Sequence, residues 1–299
     1  MMIPVLLGVM IITFTIGYLT PGCPATMRLG DTAAPEAILE LRTEMGLEDP
    51  FIVRFGTYIF NLVFRFDLGR SFQNDRPITQ ELLVRFPNTA RLAVLGVTLA
   101  VVMGIPLGII AAVRQYTIFD TVATFTGLLG ASLPNFWLGL MLILFFTVNL
   151  GWLPASGFAT WQQMIMPTIT IGTGSAAIVM RMTRSNMLEV IRQDYIRTAK
   201  AKGQKESTII FKHALKNAII PVVTVVGLQL GFLLGGAILT ENVFSIPGIG
   251  SFILQAIFQR DFPVMLGGVF IIATVFSFAN LAVDLLYGLI DPRIRSQLS

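Results

Sequence analysis

Residues 121–180 read TVATFTGLLGASLPNFWLGLMLILFFTVNLGWLPASGFATWQQMIMPTITIGTGSAAIVM, sixty positions without one Asp, Glu, Lys or Arg. A helix needs about 20 apolar residues to cross a bilayer. The stretch therefore holds two spans, separated at Gly151-Trp152-Leu153-Pro154. Four shorter charge-free windows hold one span each: Met1–Met27, Leu92–Val113, Asn217–Thr240 and Phe262–Val283. Six spans follow. A soluble core can hide one such helix but hardly six, and a membrane barrel shows alternation rather than continuous runs. Composition agrees: 54% of the 299 residues are apolar and 13% charged, against about 25% charged in ordinary soluble domains.

The first run lacks a basic leader and an A-x-A cleavage site, so it reads as a span and not a signal peptide. Thr20-Pro21-Gly22-Cys23 is a poor lipoprotein site, with no Leu three before the Cys. The run begins at Met1 without polar flanks, and a few further cytoplasmic residues are expected ahead of it. The single cysteine, Cys23, leaves no intrachain disulfide.

The charges fix an orientation. With the N-terminus inside, the short inner segments carry twelve Lys/Arg: Arg114, nine from Arg181 to Lys216, and Arg293 and Arg295. The short outer loops carry one, Arg260. That bias is the positive-inside rule, so both termini are expected in the cytoplasm. The expected division is helix 1 over 1–22, an extracytoplasmic segment over 23–90, and a core of helices 2–6 over 91–299 with a cytoplasmic loop at 181–217. Within the outer segment, Phe55, Tyr58, Ile59, Leu62, Val63 and Phe66 recur at helical spacing. They predict a short amphipathic helix lying on the membrane or on neighbouring helices.

Several spans carry Pro and Gly, among them Pro106, Pro134 and Pro167. Such residues kink helices or let them approach closely, in a moving pore or in any polytopic bundle. The loop 181–216 reads as two short helices. Asp194 is expected to cap the first, with Tyr195, Ile196, Ala199 and Gly203 on one face, and Gly203-Gln204 to end it. The second runs from Glu206 to Asn217 into the fifth span. Charge alone suits a loop resting on lipid phosphates. His213 is the only histidine, which excludes a multi-histidine metal site, and reads as a capping or interface residue. Glu241 and Asp284 lie near span ends, where helix-end charges explain them better than a proton relay.

Residue order adds what charge does not. Arg197-Thr198-Ala199-x3-Gly203-x9-His213-x-Leu215 resembles the cytoplasmic loop motif of binding-protein-dependent ABC importer permeases, Glu-Ala-Ala-x3-Gly-x9-Ile-x-Leu-Pro. The departures at Arg197, Thr198, His213 and Lys216 are similar to the dipeptide/oligopeptide/nickel branch, which the runs Asp194–Gly203 and His213–Ala218 resemble. So, in order, do Pro21–Ala25 (Cys23 in an Asp position), Gly46–Pro50, Asp67–Ser71, Pro134–Trp137, Gly151–Pro154, Glu241–Phe244, Pro247–Gly250, Arg260–Pro263 and Asp291–Arg295. They resemble the subunit with the long first outer segment.

The resemblance implies an all-α, type I ABC importer permease in the bacterial inner membrane. It implies a second homologous permease, two ATP-binding subunits and an extracytoplasmic binding protein as partners. The loop is implied to be a coupling helix docked in the ATPase subunit, with Asp194, Tyr195, Arg197, Thr198, Ala199, Lys200, Ala201, Gly203, His213 and Leu215 as its site. Ala199, Ala201 and Gly203 would permit close approach, and Arg197, Lys200 and Lys202 would meet acidic walls. No G-x-x-x-x-G-K-[ST] loop occurs, so ATP and Mg are expected on the partners and no cofactor on this chain. Short peptides are the expected cargo, with nickel complexes or glutathione as alternatives within the branch. An ion-coupled transporter would want inverted repeats and midplane charges, which the charge-free windows do not offer. An intramembrane enzyme finds no H-E-x-x-H motif, and Gly174-Ser175 lies far in depth from His213.

Overall fold

Pro134 has no N–H to donate, and the residue before a proline is pushed out of the helical region. Leu133 accordingly sits at φ −79°, ψ 128°. Two helices meet there at 100°. In the computed structural model, which describes residues 2–20, 22–30 and 33–290, this bent pair accompanies five helices long and apolar enough to cross a membrane. The expected six spans are met when the bent pair counts as one.

In chain order the helices are α1 (Met2–Leu19), α2 (Pro24–Leu29), α3 (Pro35–Glu44), α4 (Phe51–Arg65), α5 (Ile78–Val113), α6 (Ile118–Ser132) and α7 (Asn135–Leu142). There follow α8 (Trp161–Ile191), α9 (Asp194–Ala201), α10 (Glu206–Thr208), α11 (Leu215–Gly236), α12 (Ile238–Val243), α13 (Ile249–Phe258) and α14 (Phe262–Ile290). π-helical segments at Ile143–Asn149 and Ile209–Ala214 extend α7 and lead into α11. The helix that carries the second span begins at Ile78, ahead of the charge-free window. Its 36 residues reach about 54 Å at 1.5 Å per residue, well beyond a 30 Å hydrocarbon core. Pro106 leaves it uninterrupted, as Pro167 does α8.

The chain forms two compact units, Met1–Thr89 with Ile246–Val275, and Ala90–Ser245 with the chain from Phe276. In the first, Met10, Leu62, Leu68, Ile78, Leu82, Ile249, Ile253 and Val264 make one apolar core. Phe14 of α1 packs edge-on against Phe51 and Phe55 of α4, at centroid distances of 5.3 and 5.2 Å. Separate motif fragments meet here. Asp261 is buried and accepts the Ser71 hydroxyl and the Phe72 N–H. Thr89 accepts the Ile249 N–H at 2.9 Å. The α4 stripe is only partly as expected. Phe55, Tyr58, Ile59 and Leu62 join the core, while Val63 and Phe66 are exposed. Phe66 ends the helix in the left-handed region (φ 53°), which turns it away.

In the second unit α8 is central, packed on α6 and α11. Its contact with α5 runs through glycine. A Cβ on Gly104 would fall 2.8 Å from the Ala176 carbonyl, and one on Gly108 2.6 Å from Thr183 Cβ. The backbones meet where no side chain fits. Glu241 is fully buried in α12 and is not without a partner. The side chain of Asp284 and the Asp291–Arg295 run lie outside the described residues.

Candidate functional site

The residues from Asp194 to Leu215 come together in the second unit as a short helix laid on the ends of longer ones. Ile196 and Ala199 of α9 enter a core with Ala112 of α5, Met187 of α8, Ile209 and Ala214 of the π-helical segment, and Ala218 of α11. Ile196 is 0% exposed and Ala199 8%. Both are therefore spent on holding α9 to its own chain. This corrects the expected small-residue docking face, from which Ala199 is absent. The periodicity that groups Ile196 with Ala199 is right; the side to which that face turns is inward. Leu215 packs partly buried against the same core.

The opposite face is polar. Asp194, Tyr195, Arg197, Thr198, Lys200, Ala201, Lys202 and Gly203 are exposed. Arg197 Nη1 lies 3.6 Å from Asp194 Oδ1, with both side chains mostly in solvent. An ion pair so exposed adds about 0–1 kcal/mol. Asp194 does not cap the helix as expected. The N-cap is Gln193, and Asp194 occupies the first helical turn, where its charge favours the helix N-terminus.

Two clips fix the loop. Asn217 Nδ2 donates to the Tyr195 hydroxyl at 2.8 Å. His213 Nε2 and Gln204 Oε1 lie 2.7 Å apart. The sole histidine thus ties the end of the α9 turn to the segment leading into α11. At that turn Gly203 adopts φ +73°, a left-handed conformation that glycine takes without a Cβ penalty. Among the described residues nothing lies within 4 Å of where its Cβ would be. The requirement is one of backbone and not of space. The expected second helix, Glu206–Asn217, is continuous with the fifth span through the π-helical segment.

One feature of this region has no local sequence signal. Arg184 of α8 donates through Nε to Asp120 Oδ1 at 2.7 Å and through Nη2 to Oδ2 at 2.9 Å. Asp120 also accepts the Tyr116 N–H at 3.1 Å. The two residues stand 64 apart in sequence. Asp120 flanks the long charge-free stretch, and only the fold reveals its partner.

Among the described residues no three His, Cys, Asp or Glu side chains gather as a metal site. α9 presents a polar surface and packs its other side on α5, α8 and α11. Comparison with known proteins decides the class. The model for binding-protein-dependent transport system inner membrane components matches residues 104–296, and its N-terminal companion matches residues 1–93. The chain belongs to this family.

This inner membrane component is 45% identical to the dipeptide transport system permease protein DppB of Alkalihalophilus pseudofirmus, over 99% of this chain and 97% of the other. It is 41% identical to DppB of Escherichia coli K12, covering 99% and 96%. Its fold is similar to that of the methionine ABC transporter MetNI in an inward-facing conformation, at 21% identity and a TM-score of 0.62, over 72% of this chain and 99% of that one. An amino acid ABC transporter follows at 19% identity and a TM-score of 0.54, covering 72% and 94%. The expected dipeptide/oligopeptide branch and type I importer permease fold are borne out. The protein is a multi-pass permease of the bacterial inner membrane and not itself a catalytic enzyme.

Proposed function

We propose that this permease carries short peptides across the inner membrane, with both termini in the cytoplasm and 23–90 largely outside. Its partners in this reading are a homologous permease, two ATP-binding subunits that hydrolyse ATP with Mg, and an extracytoplasmic peptide-binding protein. The end-to-end match to dipeptide permeases carries the choice of cargo.

The exposed face of α9 supports the assignment of the contact with the ATPase. Arg197, Lys200 and Lys202 offer cations, and Ala201 and Gly203 leave room for close approach. Tyr195, Asp194 and Thr198 complete that face. Ala199, His213 and Leu215 act from behind it, holding α9 in place.

The test is uptake by the reconstituted complex. Labelled dipeptide should accumulate in proteoliposomes only with ATP and the loaded binding protein. Uptake without ATP by the chain alone, or uptake of nickel complexes in place of peptides, would refute the reading.

A further inference from the structure

The α6–α8 contact combines two kinds of interaction with different mechanical properties. Toward the Pro134 end it is made by van der Waals packing on glycine. Gly127 and Gly130 of α6 face Met180 and Thr173 of α8, and a Cβ on Gly130 would lie 3.0 Å from Thr173 Cγ2. Small residues set how close two helices come but supply no directional bond between them. At one end the contact is pinned. The planar fork of Arg184 meets both oxygens of Asp120, a geometry that fixes direction as well as distance. The Asp120 side chain is 8% exposed and that of Arg184 28%. A third bond, from the Tyr116 N–H, holds the carboxylate to the turn before α6.

The pin stands between the loop and the bent span. Arg184 lies about two turns before the end of α8, and α9 follows through Arg192 and Gln193. Asp120 opens α6, the first arm of the helix pair bent at Pro134. A displacement of α9 carried along α8 therefore reaches α6 through this pair.

We propose that Asp120 and Arg184 are positioning residues for transport: their forked ion pair makes the bent span follow α8 when the α9 loop is moved. The proposal rests on the permease reading above. Without the pair, α8 slides past α6, and ATP hydrolysis proceeds without opening the path.

The experiment measures peptide transported per ATP hydrolysed in the full reconstituted complex with loaded binding protein. The variants are Asp120→Asn, Arg184→Gln, their double, and the exchange Asp120→Arg with Arg184→Asp. The double variant leaves no lone buried charge and so guards against simple misfolding. It should assemble, keep its stimulated ATPase within about twofold, and lose roughly tenfold in the transport-to-ATP ratio, within the usual range of coupling between sites. The exchange should recover more of that ratio than either single change. An unchanged ratio in the double variant overturns the proposal. So does a parallel loss of transport, hydrolysis and assembly, which would make the pair a fold element only. Failure of the unaltered complex to transport peptide strikes the permease reading itself and takes this proposal with it.

Discussion

The helices α9 and α4 are both short and both hang between spans, yet they leave opposite chemistry uncovered. α9 buries Ile196 and Ala199 and exposes charges and small residues. α4 buries Leu62 and packs Phe55, Tyr58 and Ile59 on its core, but still exposes Ile52, Val53, Phe60, Val63 and Phe64. A helix with charge on its free side meets water or a polar protein surface. A helix apolar on its free side needs lipid or another apolar surface to cover it. Burial also reaches polar groups on α4. Among the described residues the enclosed Tyr58 hydroxyl finds no hydrogen-bond partner, and burial pushes its phenol up.

The largest effect should come from breaking the inner side of α9. Ala199→Asp places a carboxylate in the Ala112–Met187–Ile196 core and should cost several kcal/mol. Thermal unfolding of the purified protein would show it. Ala201→Asp, on the exposed side, should leave unfolding unchanged and weaken capture of the ATPase subunits. Equal destabilisation by both would erase the distinction between the two faces.

The free side of α4 is tested by accessibility. With Cys23→Ser as background, a spin label at Phe64→Cys should collide mainly with oxygen, as in lipid. One at Lys200→Cys should collide mainly with a water-soluble relaxant. Aqueous behaviour at both positions would show that the α4 surface is covered by something other than lipid.

Smaller is Gly203→Ala, where space is free but φ is +73°. It should destabilise the loop by about 1 kcal/mol, read as faster amide exchange in α9. Smallest is Lys200→Ala, whose effect on unfolding should stay within about 0.5 kcal/mol. A larger loss there would mean that the lysine is anchored to the chain.

The spans were legible because a charge in hydrocarbon is costly, so their absence marks the segments by itself. Thr121–Met180 separates into its two spans near Gly151, as read. The turn at Gly203 was legible for a similar local reason. The direction of Ala199 was not, because periodicity groups residues on a face without saying what covers it. Pro134 stands in the sequence like Pro106 and Pro167, yet only the first breaks a helix. A proline's neighbours in space decide whether its lost hydrogen bond is made good. The Asp120–Arg184 pair joins residues 64 apart and leaves no periodic trace.

The π-helical segment Ile209–Ala214 has a consequence for the angular phase of the fifth span. Ile209, Ala214, Ala218 and Val222 are all buried, at steps of five, four and four residues. On a continuous α-helix, at 100° per residue, Ile209 would stand about 140° out of line with Ala214. The wider turn absorbs that offset, so the loop anchor and the span present one continuous inner seam. Ordinary α-helical winding of the same residues would rotate one end against the other, whereas deleting one residue would leave steps of four throughout and keep the seam in line. The segment acts as a gear tooth that sets where every later side chain of α11 points.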